Sequence, residues 1–165
     1  MLGTRPDIAY AVTALSRHAA KSSQEHLDKA LYICRYLLGT HFYSLVFDGA
    51  SQAGLITFTN SDLASDPNTH CSQTGWFIKL ANCIFSWKSQ QQQQITYSST
   101  EVEYVALSDC SKQVVWLQSL LEELGYQLHP LPICGDNQGF IFMASNPVTE
   151  KHNKTPNMCP CNNLY

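Results

Sequence analysis

The chain has 165 residues, 44% of them hydrophobic and 14% charged, with a formal net charge of -3. That suffices for one ordinary core with at most a small appendage, is too apolar for a disordered polymer, and is too poor in basic residues for a protein that holds polyanions by bulk charge. A nucleic-acid contact would rest on a few placed residues or on chain outside this sequence.

Pro6 suits the first turn of a helix, and Ile8, Ala11, Val12 and Leu15 recur at helical spacing through DIAYAVTALSRHAA. Ser22 with Glu25 predicts a capping box opening a second helix, whose stripe is Leu27, Leu31, Cys34 and Leu38 and whose end falls at Gly39. The first forty residues are therefore expected to be a helical hairpin. The period then changes to two. Strands are expected over 42–49, 54–60, 75–81 and 83–89, separated by Gly, Asn, Asp, Pro and Ser clusters. The run Gln90 to Gln94 is expected to be a polar hairpin loop. Thr100 with Glu103 fits a second capping box, and Val102, Ala106, Cys110, Val114, Leu117, Leu121 and Leu124 trace the stripe of a long helix ending at Gly125. A short buried strand at 131–136, a short helix through NQGFIFMASN and a stop at Pro147 follow, and the last fifteen residues show no period. Meander, long helix, strand, helix is a mixed sheet with helices packed on it.

The seven cysteines are odd in number and lie mostly in apolar runs, which reads as reduced, buried cysteine of an intracellular protein. No apolar run approaches the roughly 18 residues of a membrane span. The start, MLGTRPDIAY, lacks a basic-then-apolar leader and passes at once into helical sequence, the pattern of a chain that begins inside a larger protein. Cys159 and Cys161 with His152 match no standard zinc spacing, and no phosphate-binding glycine loop occurs.

The stretch TFTNSDLASD ends an alternating run in a polar knot holding Asn60, Asp62 and Asp66. Glu101 and Glu103 open the long helix, and Asp136 ends the late strand. Carboxylates on strand ends and a helix start can converge in one cleft, and oxygen-only ligands on rigid elements suit Mg²⁺. Two such ions roughly 4 Å apart can activate water and stabilise the leaving oxygen of a phosphodiester. Each acid also has a structural role open to it: Glu103 in a capping box, Glu101 at a positive helix end, Asp62 and Asp66 in a turn, Asp136 as an N-cap. Spacing alone favours those structural roles.

RPDIAYAVTALSR, HLDKALYICRYLLGT and LVFDG, followed by SDLASD, SQTGWFIKLANCIFSWKS, YSSTEVEYVALSDCSKQVVWLQSLLEELG and ICGDNQGFIFMASNPV, resemble the C-terminal part of the polyprotein of copia-type LTR retrotransposons. The resemblance covers about residues 4–154 in order. It implies the thumb or connection end of a reverse transcriptase over 1–48, an RNase H-like domain over 49–150 and an irregular tail over 151–165. The fold class implied is α/β of the α+β type, an RNase H-like mixed sheet with an antiparallel meander and packed helices. The implied activity is two-metal cleavage of the RNA strand of an RNA/DNA hybrid, with Mg²⁺ or Mn²⁺ as cofactor, and the implied partners are the hybrid and the rest of the polyprotein, in the cytoplasm, nucleus or virus-like particle. Glu103 best matches the helix carboxylate, with Glu101 the fallback, Asp136 matches the late-strand carboxylate, and Asp62 and Asp66 match two further acids. No paired-Asp palm motif occurs, so polymerase activity is not expected.

The departures are as informative as the matches. Where such domains place the first bridging Asp, this chain has Asn60. Downstream, Lys154 is retained, but Thr155 and Asn157 stand where the family carries a late His and Asp. An amide supplies no charge to two dications, so little or no nuclease activity is expected. The alternatives are a non-catalytic nucleic-acid-binding or dimerising module of the same fold, or an unselected relic.

Overall fold

A computed structural model describes residues 3–47, 54–66, 69–126 and 131–135. A single 3-10 turn, Pro6–Ile8, runs into α1 (Ala9–Ser16), followed by α2 (Gln24–Gly39), β1 (Ile56–Asp62), β2 (Gln73–Leu80), β3 (Cys83–Gln91), α3 (Ser99–Glu123) and β4 (Ile133–Cys134). The strands form one mixed sheet in the order β3-β2-β1-β4. β1 pairs antiparallel with β2 and parallel with β4, and β2 pairs antiparallel with β3. The result is a mixed α+β architecture in which β1 has a neighbour on either side.

Alternation decides which face of the sheet is covered. Leu55, Thr57 and Thr59 are buried while Ile56 and Phe58 are only half-buried. Thr57 stands opposite Ile78 and Thr59 opposite Trp76, and both of those partners belong to the core with Leu107, Cys110, Val114 and Leu117 of α3. Cross-strand partners share a face, so α3 covers the Thr57–Thr59 side. The other side carries the half-buried, stacked pair Phe58 and Phe77, with ring centroids 4.9 Å apart. The β2–β3 turn is two residues, Ala81 and Asn82, at φ 49° and 63°, the left-handed pair that a tight hairpin requires. A bulge sets Ile78 opposite Ser86 but Lys79 opposite Ile84, and the extra residue, Phe85, packs against the core.

The expected α3 stripe is buried from Val102 to Leu117, while Leu121 is partly buried and Leu124 is exposed. Gly125 at φ 86° ends the helix, its N–H donating to the Glu122 carbonyl and that of Tyr126 to the Leu121 carbonyl. Asp109, on the flank of α3, accepts from the Trp76 indole Nε1 at 2.9 Å and from the Lys88 ammonium at 2.8 and 3.0 Å. This clamp ties the helix to β2 and β3. Burial pushes the Asp109 carboxyl up, but the bonds from Lys88 and Trp76 outweigh it and hold it below its ordinary value.

Several expectations are corrected. Residues 42–47 form no strand: Phe42, Tyr43, Val46 and Phe47 are exposed, and the rest of that segment lies outside the described residues. The stripe of α2 is offset by one residue. Leu27, Leu31, Cys34 and Leu38 are exposed, and the half-buried set is His26, Ala30, Ile33 and Leu37, a roll of about 100° around the helix. Its capping box is likewise one residue later: Ser23 N–H donates to His26 Nδ1 at 3.1 Å. The strands expected over 54–60, 75–81 and 83–89 run over 56–62, 73–80 and 83–91. β3 therefore runs into the glutamine tract, which is no hairpin loop. Gln92 is buried and donates to Thr74 Oγ1 at 2.9 Å and to the Val102 carbonyl at 3.0 Å. Cys34, Cys71, Cys83 and Cys110 are free thiols, but Cys134 is in a disulfide, against the expectation of wholly reduced cysteine. The helix expected through NQGFIFMASN and the tail lie outside the described residues.

Candidate functional site

Parallel neighbours β1 and β4 end on the same side of the sheet, and the crevice beyond the carboxyl ends of parallel strands is a recurrent ligand position. β1 ends there with Asn60, Ser61 and Asp62. Asn60 is exposed, pairs with Gly75 across the sheet, and its Oδ1 accepts the N–H of Ser61 at 2.6 Å. Asp62 is exposed and is the last residue of the strand. Both alternate to the face opposite α3, so on the α3 side the end of β1 presents Thr59 and Ser61 instead.

The helix side resolves one ambiguity in the capping pattern. Ser98 is the N-cap of α3, not Thr100, and the first-turn acid is Glu101. Tyr97 N–H donates to Glu101 Oε2 at 3.4 Å. Glu101 is thus exposed and occupied with the helix start, and the capping role open to Glu103 falls away. Glu103 is half-buried on the second turn, with its Oε2 shielded from solvent, directly after Val102, whose carbonyl receives Gln92. Asp136 lies outside the described residues.

Asp66 is half-buried, and its Oδ2 accepts from Gln91 Nε2 at 2.9 Å and faces Arg17 Nη1 at 3.5 Å. The structure therefore brings Asp66 to the end of α1. Among the described residues no group of three or more His, Cys, Asp and Glu is placed to hold a metal ion. The described donors thus fall short of a two-ion site: one of the positions is a neutral amide, and Asp62 and Glu103 belong to opposite sides of β1. A cleft of about 370 Å³ between α1 and β3, lined by Thr13, Phe85, Trp87 and Ser89 among others, contains none of the matched acids. No helix of the described residues is long and apolar enough to cross a membrane.

Sequence reasoning missed two groups, Gln92 and the Arg17–Asp66 contact. The first lies in a repeat that carries no period. The second joins residues far apart in sequence, which no local pattern announces.

Fold and site together define an α+β module with acids at a strand end and near a helix start. No protein-family model and no solved structure matches the chain. It is 35% identical over 146 residues to the retrovirus-related Pol polyprotein from transposon RE2 of Arabidopsis thaliana, covering 88% of this chain and 10% of that protein. It is 34% identical over 154 residues to the Pol polyprotein from transposon TNT 1-94 of Nicotiana tabacum, covering 93% of this chain and 12% of that protein. A short relative, the secreted RxLR effector protein 161 of Plasmopara viticola, is 38% identical over 117 residues, 71% of this chain and 82% of that protein. The chain belongs to the retrovirus-related Pol polyproteins of copia-type transposons and corresponds to a fragment of one. It spans about a tenth of the length of these polyproteins.

Proposed function

We infer that the chain is an RNase H-like module of a retrotransposon Pol polyprotein, which engages RNA/DNA hybrids and cleaves them weakly or not at all. The observation that carries the impairment is Asn60. It stands at the carboxyl end of the strand flanked by β2 and β4, where the family resemblance expects a bridging carboxylate, and its Oδ1 is taken by the next backbone N–H. The RNase H-like reading draws on the sheet order β3-β2-β1-β4 with a long helix after the meander, and on membership of the Pol family.

Glu103, relieved of the cap by Glu101, is the helix carboxylate of this reading and Asp136 the late-strand one, while Asp62, on the other side of β1 from Glu103, would have to reorient to act as an auxiliary acid. Mg²⁺ or Mn²⁺ is the cofactor of a competent version of the site. Two dications held close together repel each other, and a neutral amide between them compensates none of that repulsion. The chain's low charged fraction and net charge of -3 suit a hybrid held by shape and 2′-hydroxyl contacts more than by bulk charge.

The test is a labelled RNA/DNA hybrid incubated with the purified chain and Mg²⁺ or Mn²⁺. Binding with little or no cleavage is expected, and Asn60→Asp should raise cleavage. Robust cleavage by the unaltered chain, abolished by Glu103→Gln or Asp136→Asn, overturns the impairment. Failure to bind the hybrid overturns the nucleic-acid role.

A further inference from the structure

We propose that Arg17 is a positioning residue which, through Asp66, fixes the loop following β1 against the first helix. Its consequence for nucleic acid rests on the hybrid-binding reading above. Arg17 forms the C-cap of α1, and its side chain is only 21% exposed. Nη2 donates to Gln73 Oε1 at 2.9 Å, and Nη1 faces Asp66 Oδ2 at 3.5 Å. The Asp66 side chain is 13% exposed and also receives Gln91 Nε2 at 2.9 Å, while Gln73 Nε2 donates to Ser89 Oγ at 3.0 Å. One guanidinium thus meets the loop, the first residue of β2 and, through two amides, the end of β3.

The loop is shaped to transmit that anchorage. Asp66 N–H donates to the Cys71 carbonyl at 3.3 Å, and His70 N–H returns to the Asp66 carbonyl at 2.8 Å. Ala64, at φ 50°, donates its N–H to Ser72 Oγ at 3.1 Å. Ser72 Oγ lies 3.4 Å from Thr96 Oγ1, on the segment leading into α3. Among the described residues, α1 thus meets the loop at Asp66, and Ser72, one residue after the Cys71 that Asp66 bonds, meets Thr96 on the approach to the helix that carries Glu103. The loop begins at the residue after Asp62, so its anchorage bears directly on the end of β1. The same contacts give Asp66 a role that the sequence could not: its carboxylate is the counter-charge of a largely buried guanidinium, and a charge pair so shielded costs most when one member is removed.

The test uses the full chain with Arg17→Gln, Asp66→Asn and the double variant, followed by amide hydrogen exchange. At Ala64, Asp66 and His70, exchange should speed by about tenfold or more in either single variant, and in the double by clearly less than the product of the two, because the Arg17–Asp66 contact is lost in both. Amides of Ala106 to Leu117 should change by less than about twofold. Arg17→Lys keeps the charge but not the planar fork, and should restore part of the protection. Uniform acceleration across the chain, additive effects, or no change at the loop overturns the proposal. If Arg17→Gln fails to fold, Arg17→Lys decides alone: selective acceleration at the loop supports the proposal, and uniform or absent change overturns it. Hybrid affinity is measured in parallel and should fall with loop protection. A wild-type chain that binds no hybrid defeats the functional reading and leaves the exchange result standing on its own.

Discussion

Replacing Gln92 by Ala removes one side chain from a run of five glutamines, and the loss should be felt there and not at its exposed neighbour Gln93. Gln92 is 7% exposed, and its Nε2 donates to Thr74 Oγ1 and to the Val102 carbonyl. Two net hydrogen bonds at about 1 kcal/mol each, with a buried hydroxyl left short of a partner, give a loss of about 2–3 kcal/mol. For a domain of this size that lowers Tm by roughly 5–10 °C. Gln92→Leu fills the volume yet strands the same groups, so its cost should be similar. Gln93 is exposed, and Gln93→Ala should stay within about 0.5 kcal/mol. Urea unfolding followed by tryptophan fluorescence is a direct assay, since Trp76 lies in the core. Equal, small effects at Gln92 and Gln93 would refute the inference that the tract enters the sheet and holds the start of α3.

Asp109→Asn should cost about 1 kcal/mol after allowance for partial exposure, by loosening the clamp on Lys88 and Trp76. Because the folded carboxyl lies below its ordinary value, its contribution is full above the ordinary carboxylate range and is lost as pH falls through the lowered folded value; the variant should flatten that acid limb in pH-dependent unfolding. The Asp7 carboxyl, held to about 2 by the Arg5 guanidinium and by the Tyr36 hydroxyl, should move back toward the ordinary range in Arg5→Ala, as read by NMR titration. Burial pushes the Cys110 thiol up to about 12, so native-state alkylation should mark exposed Cys34 and spare Cys110 until the chain unfolds.

The long helix was legible because a 3.6-residue stripe sustained from Val102 to Leu117 has one solution, and Gly125 punctuates it. The first hairpin was less so. Through α2, apolar residues recur in two stripes about 100° apart, and periodicity alone cannot choose between Leu27-Leu31-Leu38 and Ala30-Ile33-Leu37. Packing against α1 made the choice. The strand expected over 42–49 had the composition of a strand, but pairing needs a partner edge, and none lies beside residues 42–47 among the described residues. At the site, the amide at Asn60 could be read from the word it sits in. The side of the sheet it occupies could not, because a one-residue difference in register exchanges the faces.

The arrangement of β1 also sets an order of assembly. Its antiparallel edge meets β2 after a short loop, so the three-strand meander closes cheaply and early. Its parallel edge must wait for Ile133 and Cys134, which arrive only after the whole of α3 has been made and has packed across the sheet. During synthesis a β-rich strand therefore stands with one row of amides and carbonyls open until nearly the last of the described chain emerges, and that interval is when such a fragment is most exposed to joining the wrong neighbour.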